Sequence, residues 1–94
     1  MKVFLIQQKQ LEEMSSKKKL IRTWIQRLEE KKWLPLFEVI SDDGQTVCCS
    51  LRVKDTGEVR TWADLRLLAE WLREKLGIER CELLLTDFDL PVTE

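Results

Sequence analysis

Residues 36–54 read LFEVISDDGQTVCCSLRVK, and this stretch contains the clearest structural signal of the sequence. Its first five residues favour a strand, and residues 41–44 supply a tight turn that ends in an Asp-Gly pair. After the turn, apolar and polar residues alternate from Val47 to Lys54, a period of two that is typical of a half-buried strand. The stretch therefore predicts a β-hairpin with one buried face.

The C-terminal side continues this pattern. Residues 55–57 predict a second turn, and residues 59–61 a short third strand. Residues 61–64 are typical of a capping box with Thr61 as the N-cap, and apolar residues then recur at three- and four-residue steps to Leu76. We expect this helix to end at Gly77 and residues 81–86 to form a final strand.

The N-terminal third has a different periodicity. Ile21, Trp24, Ile25 and Leu28 follow a helical spacing, which predicts a long helix that ends at Lys32, shortly before a proline. The helix begins either near residue 9 or at residue 17, since Ser16 is a possible cap. Residues 2–7 are either a short buried strand or the first turn of this helix.

Together these elements predict an α+β domain, a two-layer sandwich in which two helices cover one face of an antiparallel sheet of four or five strands. If residues 2–7 are a strand, the order is β-α-β-β-α-β, which resembles the split β-α-β or ferredoxin-like arrangement. The alternative order is α-β-β-β-α-β. We expect residues 1–86 to form a single domain and residues 87–94 to be an acidic tail.

The composition argues against most enzyme chemistry. The chain has no histidine and only three cysteines, so the commonest general base is missing and no closed Cys/His zinc site is possible. Its glycines are isolated, without a phosphate-binding loop. We therefore expect no enzyme activity, metal, cofactor or small-molecule substrate. The odd number of cysteines and the lack of a long apolar run predict a cytoplasmic protein without a membrane partner.

Charge divides the chain into two parts. Residues 1–32 carry nine Lys/Arg and four Glu, a net of +5, whereas residues 33–94 carry seven Lys/Arg and thirteen Asp/Glu, a net of −6. A basic segment attached to an acidic body suits a macromolecular partner. The predicted contact residues are basic side chains of the first helix and two tryptophans expected near the surface: Lys17, Lys18, Lys19, Arg22, Arg27, Trp33 and Trp71.

Two functions are compatible with this surface. The first is protein–protein binding, including self-association as a homodimer, because tryptophans are enriched at interface centres and opposite charges attract two copies of the chain. The alternative is nucleic-acid binding, with the basic helix of residues 17–32 on the phosphates. The sequence favours the first function because it contains none of the usual nucleic-acid-binding motifs.

Overall fold

The computed structural model describes residues 2–87, which form a five-stranded sheet and two helices. The elements in chain order are β1 (Phe4–Ile6), α1 (Gln8–Ser16), β2 (Leu20–Glu29), β3 (Lys32–Ile40), β4 (Thr46–Leu51), α2 (Leu65–Leu76) and β5 (Glu82–Leu84). The α+β class is confirmed, and the N-terminal segment is a strand, although the residues of β1 are exposed or half-buried rather than buried. Neither of these two helices has the length and apolar character needed to cross a membrane. Apart from Asp87, the predicted acidic tail lies outside the described residues.

The sheet is mixed, so the prediction of a purely antiparallel sheet is wrong. Its strand order is β1-β4-β3-β2-β5. The three inner strands pair antiparallel, but both edge strands pair parallel, β1 with β4 and β5 with β2. Three strands follow one another along the chain between the two helices, whereas the ferredoxin-like order has two. That order is therefore also wrong. Each edge strand is connected to the inner strands through a helix, and residue periodicity does not specify the direction in which such a strand returns.

The prediction of a long first helix is wrong, because the chain forms a short helix followed by a strand. Helix α1 ends at Ser16, Lys18 takes a left-handed conformation with φ of 59°, and Lys19 N–H donates to the Met14 carbonyl at 2.9 Å. Such a reversal is a common helix ending. The next ten residues form β2, in which residues 23–26 are all buried. A strand buried on both faces loses its period of two, so its apolar residues can imitate a helical spacing.

The hairpin between β2 and β3 also lacks the usual sequence signals. Its two-residue loop is Glu30-Lys31, with Lys31 at a φ of 60°, where glycine or asparagine is the common choice. Pro35, expected just beyond the end of the long helix, lies inside β3 opposite Ile25. A proline is tolerated there because the pairing of β3 with β4 begins only at Phe37.

Both faces of the sheet are buried, so the predicted two-layer arrangement is incomplete. One face packs against both helices in a core of Leu11, Ile25, Phe37, Val39, Cys49, Leu51, Leu68, Leu72 and Leu76. The opposite face has a smaller core of Val3, Trp24, Leu34 and Leu36, against which Leu5, Leu28, Cys48 and Val59 pack. Among the described residues, no helical residue belongs to this smaller core. It is built by residues of the strands and of the segments that connect them.

Helix α2 begins later than the capping-box pattern predicts. Its N-cap is Asp64 rather than Thr61. The Asp64 carboxylate accepts a hydrogen bond from Arg66 N–H at 2.8 Å. The predicted strand at residues 59–61 is reduced to a single bridge between Arg52 and Val59. The C-terminal end agrees with the prediction, because Gly77 is the C-cap.

Replacing Gly77 with alanine should lower the free energy of unfolding by about 1–2 kcal/mol. Gly77 has a φ of 66°, and a Cβ atom there would meet no atom within 4 Å, so backbone strain is the only expected cost. Gly77→Asn should cost less, because asparagine tolerates the left-handed region better. Urea unfolding of both variants measures the difference, and an alanine variant as stable as the parent would contradict this assignment.

Candidate functional site

The basic residues predicted to make contacts do not share a helix face. Lys17, Lys18 and Lys19 lie in the turn between α1 and β2, whereas Arg22 and Arg27 are on β2. The structure therefore spreads them along a turn and a strand. Their role in binding stays a prediction.

Four of these five cations are paired with carboxylates. Nζ of Lys17 is 2.9 Å from Oε1 of Glu13, and Nζ of Lys19 is 2.6 Å from Oδ1 of Asp42. The two arginines on β2 are paired in the same way, Arg22 with Glu82 at 2.8 Å and Arg27 with Asp87 at 3.0 Å. The positive charge that the sequence concentrates in residues 17–27 is therefore largely balanced by acidic residues from elsewhere in the fold.

The two tryptophans predicted as anchors are both half-buried and pack against the larger core. The backbone of Trp33 exchanges two hydrogen bonds with that of Trp62, at 2.8 and 2.9 Å. The ring of Trp71 lies 5.2 Å from the ring of Trp62. Trp71 is therefore packed beside a second tryptophan, and the more exposed apolar residue of helix α2 is Leu67.

A different surface collects positive charge and has no carboxylate among its lining residues. It is a cleft of about 470 Å³ at the carboxyl ends of β1 and β4, which we call the basic cleft. Four of its seven lining residues are cationic, two are glutamines and none is a carboxylate: Gln7, Gln8, Lys9, Arg52, Val53, Lys54 and Arg60. These residues create a concave surface of positive potential, which attracts anions.

The parallel pairing of β1 with β4 builds the basic cleft. Ile6 lies opposite Leu51, and Arg52 N–H donates to the Ile6 carbonyl at 2.9 Å. Because the strands run in the same direction, the residues that follow them emerge at the same edge of the sheet. Helix α1 begins there at Gln8, and a turn closed by the 2.6 Å hydrogen bond from Val53 N–H to the Glu58 carbonyl presents Lys54.

Three other concave surfaces within residues 2–87 are balanced in charge. One groove places Arg22 and Arg80 beside Glu79 and Glu82. Another contains one lysine and one glutamate, Lys32 and Glu58. The groove at the turn after α1 is lined by two lysines and two acids, Lys17 and Lys19 with Glu13 and Asp42. The basic cleft differs from all three because no carboxylate is among its lining residues.

The metal-ligating and nucleophilic side chains of the described residues are dispersed or buried. No group of three His, Cys, Asp or Glu side chains within residues 2–87 is placed to hold a metal ion. The cysteines are free thiols, and burial raises the pKa of Cys49 to about 12, which keeps that thiol protonated at neutral pH. A protonated thiol is a poor nucleophile.

Sequence reasoning missed the basic cleft because its residues are far apart in the chain. Arg52 and Lys54 are recognisable only as outward positions of a strand, and Lys9 as the edge of a predicted helix. The parallel pairing that joins them has no local signal. Only the turn predicted at residues 55–57 indicated that Lys54 would lie at the end of a strand.

Lysine and arginine side chains clustered on one concave surface are the electrostatic feature expected of a protein that binds a polyanion. The chain belongs to the family described as the NgoFVII C-terminal B3-like DNA-binding domain, whose model matches residues 7–90. No curated protein and no solved structure shows significant similarity to the chain. The family favours the nucleic-acid alternative over protein–protein binding, gives no support to the predicted homodimer, and agrees with a non-catalytic role.

Proposed function

We propose that this protein binds double-stranded DNA through the basic cleft. The observation that carries the proposal is the composition of the cleft, which contains Lys9, Arg52, Lys54 and Arg60 and no carboxylate. Lysine and arginine side chains that neutralise DNA phosphates release condensed counterions, which drives binding. The family's description as a DNA-binding domain supports the same ligand.

The lining of the basic cleft favours a duplex over a single strand. Proteins that bind single strands without sequence preference stack the bases on aromatic side chains. None of the seven residues that line this cleft is aromatic. The side chains present are those that contact phosphates and the edges of paired bases.

The salt dependence of DNA binding tests the proposal. If each of the four cations neutralises one phosphate, log K should fall with log salt with a slope of about −3.6. Lys9→Gln/Lys54→Gln should reduce that slope by about 1.8 and weaken binding roughly 60-fold at about 0.1 M salt. Fluorescence anisotropy with a labelled random-sequence duplex measures both quantities.

A matched variant separates the basic cleft from the residues that the sequence singled out. Lys17→Gln/Lys19→Gln removes the same charge, but from lysines already paired with Glu13 and Asp42. We expect this variant to bind DNA nearly as the parent does. If it loses more affinity than Lys9→Gln/Lys54→Gln, the contact surface is the turn after α1, and if the parent binds no duplex at low salt, the proposed function is wrong.

A further inference from the structure

Arg60 differs from the other cations of the basic cleft because its head group is held by aromatic rings. Its Cζ lies 4.3 Å from the ring centroid of Trp62 and 5.3 Å from that of Trp71. The two rings are tilted by 53° to each other. A guanidinium held against aromatic faces is attracted by their π systems and loses rotational freedom.

The support for Arg60 is itself tied to the fold. Trp62 exchanges two backbone hydrogen bonds with Trp33 of β3, and Trp71 belongs to α2 and packs against the larger core. The backbone N–H of Arg60 donates to the Leu51 carbonyl at 2.8 Å. The ring pair and the backbone therefore fix the position of Arg60 from two sides.

The guanidinium keeps most of its hydrogen-bonding capacity. Within residues 2–87, its one side-chain hydrogen bond is from Nη1 to Oε1 of Gln8, at a long 3.4 Å, and it forms no ion pair. Gln8 is in turn oriented by a 3.2 Å hydrogen bond from its Nε2 to Oε1 of Glu12. A guanidinium has five N–H donors, so Arg60 retains a pair of parallel donors for a ligand.

This combination suits base recognition better than phosphate contact. Phosphates are contacted well by exposed lysines such as Lys9 and Lys54. Discrimination between bases requires a donor pair held at a defined angle, and arginine paired with O6 and N7 of guanine is the commonest specific contact in the major groove. In the basic cleft, the guanidinium of Arg60 is held in this way by the rings of Trp62 and Trp71.

We propose that Arg60 reads a guanine in the bound DNA and that Trp62 and Trp71 are its positioning residues. The inference rests on the proposed function, since it assigns a role within the same cleft. It divides the cleft into one residue that selects sequence and three, Lys9, Arg52 and Lys54, that contact phosphates. The salt slope of the parent should then be about −2.7 rather than −3.6.

Selection from a duplex library with randomised positions tests the assignment. The parent should enrich a G·C pair at one position, and replacing that pair should weaken binding roughly 5- to 150-fold. Arg60→Lys keeps the charge but loses the planar pair of donors, so the preference should fall to about 2-fold or less with the salt slope unchanged. Trp71→Leu should weaken the same preference, whereas Trp71→Phe should retain much of it.

Each result separates the inference from the proposed function. An Arg60→Lys variant that keeps the full preference would show that Arg60 does not read the base. Equal loss on all sequences in Arg60→Gln, with the slope reduced by about 0.9, would make Arg60 a phosphate contact and overturn the inference. Absence of binding by the parent to any duplex would instead refute the proposed function. Circular dichroism checks folding, and if Trp71→Leu unfolds, Arg60→Lys decides alone.

Discussion

Phe37→Ala should lower the free energy of unfolding by about 3–5 kcal/mol, the largest effect of any substitution considered. Phe37 is 0% exposed and lies on the middle strand of the sheet, opposite Thr23 on one side and Cys49 on the other. Its ring belongs to the core that both helices cover. Because small domains are stable by only about 5–15 kcal/mol, this variant should be close to unfolding at 25 °C.

Urea unfolding followed by tryptophan fluorescence measures this loss. The matched control is Leu67→Ala, a large apolar residue of α2 that is 63% exposed and should change stability by no more than about 0.5 kcal/mol. A loss below about 1 kcal/mol for Phe37→Ala would be incompatible with a side chain that fills a close-packed core.

Leu36→Ala should be destabilising by about 2–5 kcal/mol, although Leu36 points to the opposite face of the same strand. Leu36 is 0% exposed and packs in the smaller core with Val3, Trp24 and Leu34. This substitution separates two arrangements of the chain. In a two-layer sandwich that face would be exposed to solvent, and the cost would be about 0.5 kcal/mol or less.

The volume-conserving variant Leu36→Met is the control, with an expected cost below about 1.5 kcal/mol. If alanine and methionine both have little effect, the second core does not contribute to stability. If alanine is costly and methionine is tolerated, the sheet is buried on both faces, as the structure shows.

The hairpin of β3 and β4 was predictable because its signals are local. The turn after Ile40 contains the Asp-Gly pair that such turns favour, and its flanking residues alternate or favour strands. The end of α2 was predictable for the same reason, since glycine readily adopts the left-handed conformation of a C-cap. In both cases a few neighbouring residues contain the physical cause of the structure.

Strand β2 was not predictable because the contacts that make these residues a strand are with residues elsewhere in the chain. Its residues 23–26 are buried by packing on both faces, and its turn at Glu30-Lys31 has no glycine or asparagine. Its alternating pattern is therefore lost, and the spacing of Trp24, Ile25 and Leu28 fits a helix equally well. Pairing with β3 on one side and β5 on the other decides between strand and helix.

Local sequence signals were sufficient to predict an α+β domain with a central hairpin and a helix ending at Gly77, and the composition specifies a chemistry without histidine. The sequence also showed two oppositely charged segments. Which of these charges lie close enough to neutralise each other depends on the packing of the helices and strands. Acidic side chains pair with Lys17, Lys19, Arg22 and Arg27, whereas the parallel pairing of β1 and β4 gathers cations in the basic cleft, which no carboxylate lines. The interaction of two charges depends on the distance between them in space, and that distance cannot be read from their separation along the chain.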